Sequence, residues 1–160
     1  MSNRAFTIFL WFDTEAEAAA NYYTGIFKDS KIGRVHRHTE AGPGPAGSVM
    51  VVEFELNGQK FSALNGGPHF TFNEAVSIVV PCADQAEVDY YWTRLSEGGG
   101  EEGDCGWLKD KYGLSWQIVP SVFFDMISDP DIDKVTRVSR AMLQMTKFDI
   151  AALEKAYSGG

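Results

Sequence analysis

The chain repeats itself once in outline. Ile8, Leu10 and Phe12 recur 68 positions later as Val76, Ile78 and Val80. At the same offset Ala18 meets Ala86, Tyr22-Tyr23 meets Tyr90-Tyr91 and Phe27 meets Leu95. A lone Tyr-Tyr pair could be coincidence, but a strand-like alternation and a helical spacing recurring together in phase point to duplication. The period is too long for a stacked solenoid repeat. The expected product is two copies of one strand–helix–strands unit, hence an α+β protein.

In the first copy, Ala5–Phe12 is rich in aromatic and branched residues and reads as a strand. Asp13-Thr14-Glu15 offers an N-cap and an acid in the first turn, and Ala16, Ala19, Ala20, Tyr23 and Phe27 follow at helical spacing. Strands are expected at Lys31–His38, Ser48–Leu56 and Gln59–Leu64, the last two joined by Asn57-Gly58, a type I′ hairpin signal. The second copy opens with a strand over Ala75–Val80 and a helix over Asp84–Ser96. Its closing run Gly113-Leu114-Ser115-Trp116 rhymes with Gly58-Gln59-Lys60-Phe61. Asn65-Gly66-Gly67-Pro68-His69 reads as the linker. This gives a single domain over 1–160, with module 1 at about 5–67, module 2 at about 74–120 and a helical extension over 121–160. In the extension, Ser128-Asp129-Pro130 predicts a capped helix start. Ile132, Val135, Val138, Met142 and Met145 form one apolar stripe, and Ile150, Leu153 and Tyr157 a second.

Alternation sorts the strand faces. Met50, Val52, Phe54 and Leu56 form a continuous apolar row and belong on the helix side, which sends Val49, Val51, Glu53 and Glu55 to the other face. Ile8, Leu10 and Phe12 take the helix side, as do Val76, Ile78 and Val80. Thr7, Phe9, Trp11, Ala75, Ser77 and Val79 are then left on the opposite faces. In the closing strand Trp116 and Ile118 pack on a helix while Ser115, Gln117 and Val119 face away.

Composition limits the partners. A chain of 160 residues can bury a core without disulfide or structural metal. Its net charge of −8 opposes nucleic acid and anionic lipid. The longest apolar run, Phe6–Phe12, falls far short of a membrane span, and the amino terminus carries no signal-peptide pattern. Cys82 and Cys105 read as reduced thiols, and a cytoplasmic location is expected.

Three stretches carry a family resemblance: Phe12-Asp13 through Tyr22-Tyr23-Thr24-Gly25-Ile26-Phe27; Ala63-Leu64-Asn65-Gly66-Gly67-Pro68; and the unbroken run from Cys105-Gly106-Trp107 to Gln117-Ile118-Val119-Pro120. In this order and spacing the chain resembles the vicinal oxygen chelate superfamily of glyoxalases, extradiol dioxygenases and bleomycin-resistance proteins. Within it the PhnB-like branch, often labelled demethylubiquinone methyltransferase by analogy, is the nearest in pattern. The resemblance implies two βαβββ modules forming a curved, cup-shaped mixed sheet, a small-molecule ligand in the cup, and a homodimer. Metal-dependent members place His or Glu at one inward position on the first and last strand of each module. Those positions here are Thr7, Ser62, Ala75 and Gln117, or, in the alternative register, Ile8, Ala63 and Val76 for the first three. Neither set offers the anionic or imidazole ligands a divalent ion needs, so neither metal nor cofactor is expected.

The residues expected to line the pocket are Thr7, Phe9, Trp11, Ser62, Ser77 and Gln117. Glu53, His69 and Gln117 are the candidates for chemistry: Glu53 as a buried acid, His69 as an imidazole at the mouth of the cup, Gln117 to orient a substrate. His36 and His38 stand two apart and could share a face, though with Arg34 and Arg37 beside them they also read as a polar edge. Cys105 next to Asp104 lacks the partner base that a nucleophile needs and reads as a packing residue. Gly42-Pro43-Gly44-Pro45-Ala46-Gly47 spells a dinucleotide fingerprint, but it precedes a strand instead of a helix, so it reads as a loop and argues against a methyltransferase's nucleotide site.

Overall fold

The computed structural model describes residues 4–160, and the chain divides into two compact units, the first ending at Phe72 and the second spanning Asn73–Gly160. The first contains β1 (Thr7–Phe12), α1 (Ala16–Ile26), β2 (Ser30–Arg37), β3 (Val49–Leu56) and β4 (Gln59–Asn65). Its sheet runs β1-β4-β3-β2, with β1 parallel to β4 and the other pairs antiparallel. Asn57 at φ 47° and Gly58 at φ 80° make the tight turn between β3 and β4 that their sequence predicts.

Three alanines explain how α1 lies on this sheet. Ala16, Ala19 and Ala20 are fully buried and let the helix approach closely, and Tyr23 and Ile26 continue the same face. The sheet answers with Leu10, Phe12, Val52, Phe54, Leu56, Phe61 and Ala63, all buried. Tyr23 lies nearly parallel to Phe54, and Phe54 stacks on Phe61 at 5.1 Å between centroids. Each such side chain contributes roughly 1.5–3 kcal/mol on burial. The start of α1 is held from elsewhere than Asp13 or Thr14: Ala16 N–H donates to Asn65 Oδ1 at 2.8 Å, and Asn65 Nδ2 donates to the Val49 carbonyl.

The second unit contains β5 (Ser77–Cys82), α2 (Gln85–Ser96), β6 (Glu101–Glu102), β7 (Trp107–Lys109) and β8 (Ser115–Pro120), followed by α3 (Ser121–Ile127), α4 (Ile132–Met142) and α5 (Ile150–Ser158). Its sheet order, β5-β8-β7-β6 with β5 parallel to β8, repeats that of the first unit. Both units are therefore βαβββ, and the α+β architecture stands. Asp84 caps α2 by accepting from Glu87 N–H, while Glu87 accepts from Ala83 N–H.

The duplication holds, but its register differs from the sequence match. β5 starts at Ser77, so Ala75 precedes the strand and Val76, expected on the helix side, is 66% exposed. In α2 the buried row is Val88, Trp92 and Leu95. Trp92 thus fills the place that Tyr23 fills in α1, while Tyr90 is exposed. The paired tyrosines share letters but not a structural role, because a helix face is fixed by packing and not by identity.

In the extension Val138, Phe148 and Leu153 are buried. The cap of α4 is Asp131, which accepts from Asp133 and Lys134 N–H, one residue beyond the expected Ser128-Asp129-Pro130. Arg137 donates to the carbonyls of Ala156 and Tyr157 and so ties α4 to the end of α5. No helix among the described residues is long and apolar enough to cross a membrane.

Candidate functional site

In the first unit α1 covers one sheet face and the strand registers define the other. Thr7, Lys60 and Glu55 form one cross-strand row of that second face, Phe9, Ser62 and Glu53 the next, and Trp11, Leu64 and Val51 the third. β2 adds to it through a bulge: Ile32 pairs with Phe54 and Val35 with Val52, so Gly33 and Arg34 together oppose Glu53. Gly33 suits the spot because a Cβ there would lie 3.1 Å from the Glu53 carbonyl oxygen.

The bulge brings a guanidinium and an imidazole to one carboxylate. Arg34 Nε donates to Glu53 Oε2 at 3.1 Å, and His36 Nε2 lies 2.9 Å from Oε1. The His36 hydrogen bond and then the Arg34 one hold the Glu53 carboxyl below its ordinary value, outweighing the small opposing effect of burial. Glu53 is half-exposed and engaged, not the buried acid expected. Lys31 pairs with Glu55 at 3.7 Å. Between these groups lies a hollow of about 260 Å³ bordered by Thr7, Arg34, Glu53, Lys60 and Ser62. The face is polar at this end and aromatic at the other, where Phe9 is 59% exposed and Trp11 donates from Nε1 to the Gly67 carbonyl.

His38 does not join His36. A second register shift follows His36, and His38 lies past the end of β2 beneath the Gly42–Gly44 loop, its Nδ1 buried without a hydrogen-bond partner among the described residues. His69 is exposed on the turn after β4.

In the second unit α2 covers one face, and the opposite face carries two rows: Ser77, Ser115 and Lys109, then Val79, Gln117 and Trp107. Gln117 Nε2 donates to Ser77 Oγ at 2.8 Å. Ser115 is fully buried, and its hydroxyl has no partner among the described residues. Lys109 is paired with Glu74, which raises its pKa through that hydrogen bond. Cys105 sits at φ 55° in the turn entering β7, and Cys82 is buried in the core with its thiol pushed up to about 12 by desolvation first and then by Glu87 and Asp84.

The positions where metal-dependent relatives carry ligands do not fit an ion. Thr7 is exposed, Ser62 offers a hydroxyl, Ala75 precedes β5, and one end of the Gln117 amide is used by Ser77. No three His, Cys, Asp or Glu side chains among the described residues converge as a metal-holding group. Sequence reasoning missed the meeting of Arg34 and His36 at Glu53. The lone Gly33 inside a strand pattern was the available signal for the bulge.

Comparison with known proteins bears on the same frame. Residues 4–119 match the family model described as 3-demethylubiquinone-9 3-methyltransferase. Among solved structures, the PhnB protein from Bacillus cereus is 37% identical, with 72% of this chain and 98% of that one covered and a TM-score of 0.66. Protein PA1353 from Pseudomonas aeruginosa is 17% identical over 72% and 96% of the two chains, with a TM-score of 0.59. A glyoxalase/bleomycin resistance protein from Albidiferax ferrireducens T118 matches at 10% identity over 71% and 95%, with a TM-score of 0.49. No curated protein matches the sequence.

Proposed function

The chain belongs to the family described as 3-demethylubiquinone-9 3-methyltransferase, within the PhnB-like, glyoxalase-type fold, and on that premise we propose that it binds a small organic molecule on the first-unit face without a resident metal ion. The observation that carries the reading is chemical: the family's ligand positions hold Thr7, Ser62, Ala75 and Gln117, whose side chains supply two hydroxyls, a methyl group and an amide. Divalent ions in this fold need imidazole or carboxylate there.

The hollow suits a polar ligand with an anionic group. Lys31, Arg34 and Lys60 border it against Glu53 and Glu55, leaving one cation in excess, and Ser62 and Thr7 add hydroxyls. Glu53 serves as an ionised acceptor and anchor. Its lowered pKa makes it a weak base at neutral pH, so binding is preferred over an acid–base reaction using Glu53, His69 and Gln117. The methyltransferase activity in the family description is not carried over, since Gly42–Gly47 lies in the loop between β2 and β3 and opens no helix, so it forms no nucleotide-binding βαβ turn. Self-association into a homodimer is part of the proposal, supported by the exposure of Phe124, Ile132 and Leu143 on the carboxyl-terminal helices and the segment after α4.

Elemental analysis of the purified protein, with thermal shifts in Zn²⁺, Mn²⁺ and Ni²⁺, tests the metal-free reading. Substoichiometric metal and no specific shift are expected. One tightly held ion per chain, with stability lost on chelation, would overturn it. Light scattering after gel filtration reads the oligomeric state.

A further inference from the structure

We propose that the groove between the amino-terminal ends of α2 and α5 is a docking site for a short basic segment of a partner protein, one apolar side chain flanked by lysine or arginine. The groove has a volume of about 770 Å³. Val122, Phe148, Ile150 and Ala151 supply its apolar lining, and Asp84, Asp89, Asp149 and Glu154 its acidic lining. Val122 and the stretch from Phe148 to Glu154 lie beyond residue 119, where the match to the family model ends.

One side chain ties the two walls together. Gln85 on α2 accepts from Ile150 N–H at 2.9 Å and donates to the Phe148 carbonyl at 3.0 Å, so the first turn of α5 is bonded to that of α2. Its amide also reaches Asp89 at 3.1 Å, and Lys147 pairs with the same carboxylate at 2.7 Å. Asp84 and Asp149 cap the two helices by accepting from Glu87 and Ala152 N–H. A cap of this kind uses one carboxylate oxygen and leaves the charge in place.

Charge and shape select the occupant. Four carboxylates stand against the single Lys147 ammonium. The two helix ends add about half a positive charge each, which leaves the groove negative by about two. An anion is repelled there and a cationic segment is drawn in. No three acidic, His or Cys side chains among the described residues converge to hold a metal ion, so the cation is organic. Asp84, Asp89, Ala151 and Glu154 are exposed, and the rim is open to water. A small ligand would stay largely hydrated in so open a groove. A chain segment can lay one side chain on Val122 and Ile150 and keep its charged ends at the rim.

The probe is a fluorescein-labelled hexapeptide of lysine and arginine around one central leucine, titrated into the full-length chain by fluorescence anisotropy. Saturable binding that weakens as salt is raised is expected. Replacing the leucine by glycine should weaken it about tenfold. Asp149→Ser, which keeps a capping oxygen, and Glu154→Gln should each weaken it about threefold. Lys147→Met, which releases Asp89, should tighten it about threefold. Ala151→Arg puts a cation of the chain's own into the groove at an exposed position and should weaken the probe about tenfold. Glu97→Gln, at the far end of α2, should leave binding unchanged. The proposal is overturned by absence of saturable binding, by equal binding of the leucine and glycine peptides, or by equal weakening in Glu97→Gln and Glu154→Gln, the signature of attraction to net charge alone. Self-association of the parent chain that is lost in Ala151→Arg would assign the groove to a second copy and overturn it as well.

Discussion

Asp110 accepts the indole N–H of Trp116 at 2.8 Å, and both side chains are buried. The same carboxylate accepts from the backbone N–H of Tyr112 and Leu114, so one acid closes the turn between β7 and β8 and fixes the largest core side chain of the second unit. Asp110→Ala would leave three donors without their acceptor. A stability loss of about 3 kcal/mol in urea unfolding is expected, with a smaller loss for Asp110→Asn, which keeps one acceptor oxygen. Equal stability of all three proteins would refute this role.

Asn65 is the matching tie in the first unit. Its side chain caps α1 at Ala16 and holds Val49 in β3. Asn65→Ala should cost about 1–2 kcal/mol and speed hydrogen exchange at the Ala16 amide. Asn65→Asp should protect that amide while still losing the bond to Val49. Unchanged exchange in the alanine variant would remove the cap from the account.

Gly106→Ala meets two obstacles, a left-handed backbone and the Phe148 ring. The variant should lose about 2 kcal/mol or more and expose the segment after α4 to proteolysis ahead of the rest of the chain. Resistance equal to that of the parent protein would show that this turn does not anchor the extension.

The two thiols should separate by reactivity. Cys82 is buried with its pKa pushed up to about 12, whereas Cys105 is half-buried. A disulfide-exchange reagent at pH 8 should modify one thiol per native chain and two in denaturant. Linkage carries the same sign: the native state keeps the Cys82 proton that the unfolded chain loses above its ordinary value of 9.0, so this contribution to stability is complete below pH 9 and declines toward pH 12. Fast modification of Cys82 in native protein would contradict the buried geometry.

For Glu53 the sign is opposite. Its folded pKa is depressed from 4.5, so the interaction with His36 and Arg34 stabilises fully above that value and is lost as pH falls through the lowered one. A carboxyl-carbon NMR titration should place its midpoint below that of a free glutamate, and His36→Gln should move it back upward. A midpoint indifferent to His36 would mean that the hydrogen bond is not made in solution.

The sequence carried the strand faces well because side chains alternate with a period of two, and the true offset between β1 and β5 is also even. Leu10, Phe12 and Val80 are buried where expected, and Ser77 and Gln117 share a face as read. Helix phase was less legible: the identical tyrosine pairs suggested equivalence, yet burial gives Tyr23 and Trp92 the same role. The Asn65 cap lies 49 residues from its amide, and no local pattern announces a partner so remote. At Glu53 the obstacle was a parity change, since simple alternation groups Arg34 and His36 with Ile32.

That parity change has a consequence for how the edge of the first sheet behaves. β2 is one of its two edge strands, where slippage or recruitment of a foreign strand can begin. Were β2 to slide into unbroken pairing beyond Ile32, Arg34 would turn to the α1 side and give up its bond to Glu53, while Val35 would turn to the opposite face. The surplus residue at Gly33 thus works as a latch on alignment along that border, because only the bulged register lets Arg34 and His36 meet Glu53 together.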